Sequence, residues 1–214
     1  PAGPVLTAED VRELESMCEG VSGYFYKMLN FLEERLQDGV RRGRFTWERV
    51  RADLDTALWY SYICNNVDEY EYYYRAAQWM PDSEQAAEQA RSGVWYYRYA
   101  CALTYCGRLE EALKYAEKGV GLDPEYVWGW LMYGRLLSHF GDREGALAAA
   151  DRGLAERLAW TYPHAADADI PSKLTATQLK GRALDEEVRE GAGPATEPSA
   201  APAPFGRPRF AAEE

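Results

Sequence analysis

Apolar side chains recur at intervals of three and four along much of the chain, which is the spacing of one face of an α-helix. The first such stripe consists of Val11, Leu14, Cys18, Val21, Phe25, Met28, Leu32 and Leu36. No stretch alternates apolar and polar residues for long, so the pattern predicts helices rather than strands. We therefore expect an all-α fold.

Capping and breaking residues divide this pattern into seven predicted helices. Thr7 and Thr46 can cap helix starts, Pro81 cannot continue a helix, and Gly107 is a good terminator. The predicted helices cover residues 7–40, 46–64, 68–80, 83–106, 109–121, 125–140 and 143–159.

Glycines in the first and fourth predicted helices bear on their continuity, and the second helix ends in a predicted turn. Gly20 and Gly23 bend or interrupt the first helix, and Gly93 lies inside the long fourth helix. Asn65-Asn66 is the predicted turn after the second helix.

The composition changes from about Tyr162, where Pro, Ala and Gly become frequent. Residues 161–190 are predicted to be a C-terminal segment with one helix over 172–190. Residues 191–214 are predicted to be a disordered, flexible C-terminal tail, rich in Pro and Ala.

The chain contains an internal repeat, because residues 95–124 align with residues 129–158 at a shift of 34. Small residues match where two helices of a hairpin would approach closely, and Gly matches at the tight turn. The matched pairs are Tyr96 with Trp130, Ala100 with Gly134, Leu103 with Leu137, Gly107 with Gly141, Ala112 with Ala146, Ala116 with Ala150, and Gly119 with Gly153.

This repeat resembles the tetratricopeptide repeat (TPR) family, a family of helical-repeat proteins. The resemblance lies in Gly107-Arg108-Leu109-Glu110-Glu111-Ala112-Leu113, in its copy at residues 141–147, and in Gly121-Leu122-Asp123-Pro124. A more divergent copy over residues 50–81 aligns at a shift of 43, although Asn65-Asn66 replaces the turn glycine and Glu69 replaces the expected small residue.

The resemblance implies antiparallel helix-hairpin repeats stacked in a TPR-like α-solenoid. Residues 1–49 would be an N-terminal helical cap with a long capping helix. The TPR-like helical repeats would occupy 50–160, as copies at about 50–83, 93–126 and 127–158. The alternative is an irregular helical bundle that contains two repeats.

In this family the first helix of each hairpin lines the concave face, which implies a peptide-binding groove. Aromatic side chains would supply contact area there, and Arg135 could grip a carboxylate or a backbone carbonyl. Family members that bind chaperones hold the C-terminal carboxylate of a peptide with polar side chains on this face. Leu58 and Cys101 stand at two of the equivalent positions, so the resemblance does not favour such a carboxylate clamp here. The alternative for any of the aromatic residues is core packing. The candidate peptide-binding residues are Arg51, Tyr62, Tyr97, Tyr105, Trp128, Leu131, Arg135 and His139.

Charge and composition narrow the classes of partner. The formal net charge of -11 makes this an acidic protein, which argues against nucleic acid and anionic membranes and favours a basic or neutral protein or peptide partner. The four cysteines lack metal-ligand spacing, so neither a metal nor a cofactor is expected, and reduced cysteines suit a cytoplasmic protein.

No nucleophile, metal or phosphate-loop motif occurs in the sequence, so we expect no catalytic residues and no enzyme. The preferred interpretation is a protein–protein interaction module or scaffold. The alternative is self-association into a homo-oligomer, with the groove filled by another copy or by the basic, aromatic tail stretch at 205–210. The tyrosines at 70 and 72–74 are either an adhesive patch or a mixture of packed and exposed rings.

Overall fold

The computed structural model describes residues 3–18 and 25–161, and from residue 156 onward only the backbone of the last helix. The described residues form helices and contain no strand, which confirms the all-α expectation for this part of the chain. The helices are α1 (Ala8–Cys18), α2 (Phe25–Arg41), α3 (Trp47–Ala52), α4 (Leu54–Val67), α5 (Tyr70–Trp79), α6 (Glu84–Gln89), α7 (Gly93–Tyr105), α8 (Leu109–Leu122), α9 (Val127–His139) and α10 (Arg143–Thr161). A short 3₁₀ helix, Met80–Ser83, links α5 to α6.

The first predicted helix contains α1 and α2, and Gly20 and Gly23 lie in the interval outside the described residues. Thr7 caps α1 as expected. The amide of Asp10 donates to Thr7 Oγ1 at 3.1 Å, and the amide of Thr7 donates back to Asp10 Oδ2 at 2.9 Å. These reciprocal bonds satisfy backbone donors that a helix start leaves unpaired. The predicted helix over 172–190 and the tail at 191–214 lie outside the described residues.

The predicted single helix over 46–64 is wrong, because the chain breaks at Asp53. Thr46 caps α3 by accepting from the amide of Arg49 at 3.3 Å, as expected. Asp53 then starts α4 by accepting from the amide of Thr56 at 2.9 Å. The predicted turn at Asn65-Asn66 is also wrong: Asn65 is a buried helical residue, and the chain turns at Asp68 with φ 59°.

The predicted long helix over 83–106 is wrong as well, because the chain leaves helical geometry between α6 and α7. Arg91 has φ 52°, a conformation that interrupts a helix. Contacts distant in sequence support the break: Arg91 Nε donates to the carbonyl of Leu122 at 3.0 Å, and the amide of Gly93 donates to Asp123 Oδ2 at 3.1 Å. The start of α7 is therefore set by the end of α8.

The described residues belong to two compact units. The first contains the described residues up to Ala90 together with Cys101–Arg108, and the second contains Arg91–Ala100 and the described residues from Leu109 onward. In the first unit, α4 packs against α2 and α5. Its core includes the fully buried Leu14, Met28, Leu32, Leu36, Val50 and Ile63.

In the second unit, α9 packs against α8 and α10. Leu137 of α9 and Ala146, Ala149 and Ala150 of α10 form a buried cluster, with Trp130 and Tyr133 packed against it. Aromatic rings also join α7 to α8, since Trp95 and Tyr99 both contact Tyr115.

Equivalent elements of the chain recur at the shift found in the sequence repeat. Helix α7 spans Gly93–Tyr105 and α9 spans Val127–His139, while α8 starts at Leu109 and α10 at Arg143. Gly107 and Gly141 each follow the first helix of a pair with φ of 77° and 83°. In both turns the glycine amide donates to a carbonyl three residues back, and the next amide donates to one five residues back. Glycine takes this left-handed conformation without the steric cost that a Cβ brings.

Close approaches between helices repeat at the same shift. A Cβ added at Gly119 of α8 would lie 2.6 Å from Cβ of Tyr96, and one added at Gly153 of α10 would lie 3.0 Å from Cβ of Trp130. An added methyl group would therefore overlap Tyr96 at position 119 and would be held tightly against Trp130 at position 153.

Gly119→Ala is expected to lower the free energy of unfolding by about 1 to 2 kcal/mol, because overpacking against the buried Tyr96 outweighs the better helix propensity of alanine. Gly121→Ala is the matched control: Gly121 lies in the same helix with nothing within 4 Å of the added methyl. That substitution should raise the free energy by up to about 1 kcal/mol. Urea denaturation followed by circular dichroism measures both, and equal effects would refute the close packing of Gly119 on Tyr96.

Candidate functional site

One side of α9 carries the candidate residues Trp128, Leu131 and Arg135 at helical spacing. All three side chains are half-buried, whereas Met132 and Leu136 on the other side are buried. We call Trp128, Leu131 and Arg135 the α9 stripe. His139 ends the helix, and its ring contacts the exposed ring of Phe140 edge to face at 5.1 Å.

Tyr97 is the α7 residue equivalent to Leu131 in the repeat. Its side chain is only 9% exposed, and its ring contacts that of Tyr126 at 5.8 Å, near the start of α9. The structure therefore brings Tyr97 to the N-terminal end of α9, but as a packed residue. Its exposed area is too small for a major contact with a ligand.

The other three candidates lie in the first unit, and each packs on residues of that unit. Arg51 pairs with Asp82 at 3.1 Å, and its guanidinium lies 5.4 Å from the ring centre of Trp79. The ring of Tyr62 contacts Phe25 of α2 and Trp59 of α4 at 5.9 and 6.1 Å. Tyr105 stacks on Tyr73 with ring centres 4.5 Å apart.

Helix α2 lies beside Tyr62, since the ring of Phe25 contacts the Tyr62 ring. The predicted face of the first copy requires one side of α4 to face a ligand, but α2 packs against α4. Ser61, the neighbour of Tyr62 in α4, is fully buried and its hydroxyl donates to the carbonyl of Leu58 at 3.1 Å. The periodicity of the sequence identified the apolar side of α2, but it could not show that this helix packs against α4.

The tyrosines of α5 divide into packed and exposed rings. Tyr73 is buried and donates to Asp68 Oδ1 at 2.8 Å. Tyr70 and Tyr74 are 66% and 46% exposed, and their rings stack with centres 6.3 Å apart. The i,i+4 spacing of Tyr70 and Tyr74 was the signal that these two rings share one side of the helix.

Tyr26 of α2 is a further exposed tyrosine that sequence reasoning missed. Its hydroxyl donates to Glu69 Oε1 at 2.5 Å, and its ring contacts Tyr72 at 5.7 Å. The hydrogen bond to the carboxylate raises the pKa of Tyr26 to about 12, because the phenol is held in its protonated form. No local pattern could indicate this pair, since Tyr26 and Glu69 are 43 residues apart.

A charged group links three helices of the first unit. Arg75 of α5 bonds to Glu33 of α2, and its guanidinium lies 5.8 Å from the ring centre of Tyr60 of α4. Beside it, burial raises the pKa of Tyr60 and raises the pKa of Cys64 to about 12. Both side chains are therefore neutral near pH 7, and the Cys64 thiol is a poor nucleophile there.

Metal-binding groups and membrane-spanning helices are absent from the part of the chain that the structure describes. Within residues 3–18 and 25–161 no group of three or more His, Cys, Asp or Glu is placed to hold a metal ion. None of the helices in those ranges is long and apolar enough to cross a membrane.

Comparisons with known proteins gave no relative. No protein-family model, curated protein or solved structure matches the chain.

Proposed function

We propose that this chain is a non-catalytic binding module of tetratricopeptide type that holds a peptide or protein segment along the α9 stripe. The observation that carries the proposal is the equivalence of α7–α8 and α9–α10 at the repeat shift. That period and the repeated glycine turns resemble the family, whose first helices face a bound segment. The stacking of these hairpins as a solenoid belongs to the same proposal.

The side chains of the α9 stripe suit an extended peptide. Trp128 offers a large, partly exposed ring and an indole N–H donor, and Leu131 provides apolar area one turn away. Arg135 follows after another turn and can donate to a carboxylate or to peptide carbonyls. A segment of about four residues would span this length, because an extended chain rises about 3.3 Å per residue and a helix about 1.5 Å.

The test is capture of a partner from the source lysate by the full 214-residue chain, followed by titration of the purified partner. Trp128→Ala is expected to weaken binding at least tenfold, since tryptophans at the centre of an interface often contribute about 2 kcal/mol. Helix content should be unchanged by circular dichroism, because the Trp128 side chain is only partly buried.

Phe140→Ala is the matched control, since this ring is 44% exposed in the same unit but lies beyond the α9 stripe. It should leave binding unchanged. Equal binding by wild type and Trp128→Ala would exclude the α9 stripe as the site. A mass that rises with concentration by light scattering, without any partner, would favour self-association.

A further inference from the structure

Three arginines of the first unit are held by the same combination of an aromatic ring and a carboxylate. Arg35 lies over Phe31 at 4.9 Å and pairs with Asp10 at 3.4 Å. Arg51 lies over Trp79 and pairs with Asp82 at 3.1 Å. Arg75 lies over Tyr72 at 5.4 Å and bonds to Glu33. In each case the ring attracts the delocalised cation and the carboxylate fixes its direction.

Helix α5 carries a fourth combination of rings and carboxylate, on its exposed side. The rings of Tyr70 and Tyr74 stack nearly parallel, at an angle of 17°. Glu71, three residues before Tyr74, is exposed and lies next to it on the helix surface. Among the described residues no guanidinium or ammonium group lies over either of these rings. We call Tyr70, Glu71 and Tyr74 the α5 patch.

The charge around the α5 patch is negative. Asp68, Glu69 and Glu71 precede or begin α5, and Arg75, the only cation in this helix, is already paired with Glu33. A cationic ligand is thus attracted, and an anionic one is repelled.

We propose that the α5 patch docks an arginine side chain from an extended segment of a partner protein. The guanidinium would stack on the Tyr70 and Tyr74 rings while its N–H groups donate to the Glu71 carboxylate. Arginine suits this site better than lysine, because its planar, weakly hydrated cation stacks on a ring and donates sideways at once. The proposal concerns the first unit and does not depend on the α9 stripe.

Tyrosine ring resonances test this directly. The full chain would be labelled with ¹³C at its tyrosine rings and titrated with the capped peptide Gly-Ser-Arg-Gly-Arg-Ser-Gly, and with lysine and citrulline versions of it. The sixteen tyrosines serve as internal controls for one another. Shifts confined to Tyr70 and Tyr74, strongest with the arginine peptide and absent with citrulline, are expected. Equal shifts with citrulline, or shifts spread over buried tyrosines, would overturn the proposal.

Two variants measure separately what the tyrosine rings and the Glu71 carboxylate contribute to binding. The double variant Tyr70→Ala/Tyr74→Ala should abolish saturable binding, and Glu71→Gln should weaken it about two- to fivefold. Glu48→Gln is the matched control, because Glu48 is also an exposed carboxylate in the first turn of a helix. If Glu48→Gln weakens binding as much as Glu71→Gln, general charge attraction explains the result and the site is refuted.

The chain itself supplies an alternative source of arginine at 207 and 209. The double variant Arg207→Gln/Arg209→Gln, measured without peptide, distinguishes the two sources. Unchanged Tyr70 and Tyr74 resonances support a partner protein. Movement of these resonances alone would assign the patch to the chain's own arginines and overturn the proposal of a partner.

Discussion

Trp95→Ala is expected to lower the free energy of unfolding by about 3 to 5 kcal/mol, the range for truncation of a large buried aromatic side chain. Trp95 is fully buried, and its ring contacts Tyr96 at 4.9 Å, Tyr99 at 5.1 Å and Tyr115 at 6.2 Å. Removing the indole leaves a cavity among three rings that cannot all move to fill it. Urea denaturation followed by circular dichroism measures the change.

Two further variants keep the role of Trp95 testable if Trp95→Ala does not fold. Trp95→Phe keeps a ring in the same place and should lose only about 1 to 2 kcal/mol. Phe140→Ala removes an exposed ring of the same unit and should change the free energy by less than about 1 kcal/mol. A loss from Trp95→Ala no greater than that from Phe140→Ala would mean that Trp95 does not organise the aromatic core.

Raising the pH from 8 to 11 is expected to lower the stability of the first unit by roughly 5 kcal/mol, because three of its buried groups resist ionisation. Burial raises the pKa of Cys64 from 9.0 to about 12 and raises the pKa of Tyr60 and Tyr73 above their ordinary value. At pH 8 and below these groups are almost entirely neutral in both the folded and the unfolded chain, so stability hardly depends on their ionisation. Above pH 8 the unfolded chain releases protons that the fold retains, and the free energy of unfolding falls.

Cys64 contributes the largest share, about 3 kcal/mol at pH 11, because the unfolded thiol has its ordinary pKa of 9.0 and is ionised there. Cys64→Ala should therefore shrink the difference in stability between pH 8 and pH 11 by about that amount, although it creates a small cavity. Cys18→Ala, which changes an exposed thiol, should leave the difference unchanged. A pH dependence that survives Cys64→Ala in full would show that the thiol ionises freely in the folded protein.

The positions of most helices could be predicted from sequence, and the errors have local causes. Periodic apolar residues identified α8, α9 and α10 to within a few residues, and the turn glycines Gly107 and Gly141 marked the starts of α8 and α10. The breaks at Asp53 and Arg91 were missed because the apolar pattern continues across both. At Arg91 the break depends on bonds to Leu122 and Asp123, which are distant in sequence.

The candidate site was less predictable than the fold. The sequence placed Trp128, Leu131 and Arg135 on one side of α9, and that spacing follows from helical geometry alone. The same spacing argument placed Tyr62, Tyr97 and Tyr105 on ligand-facing sides of their helices. In the structure each of these rings packs on another aromatic residue. Helical spacing describes a face, and the neighbouring helix decides whether that face is covered.

The sequence by itself determined that the described chain is helical, that the helix pair α7–α8 recurs as α9–α10 at a shift of 34 residues, and that glycines occupy the turns between the helices of each pair. These properties depend on local periodicity and on the size of single side chains. Only the tertiary structure decided which of the tyrosines of α5 are exposed. Rings at positions 70, 72, 73 and 74 point in several directions around one helix, and the packing of α2, α4 and α7 residues selects those that are removed from water.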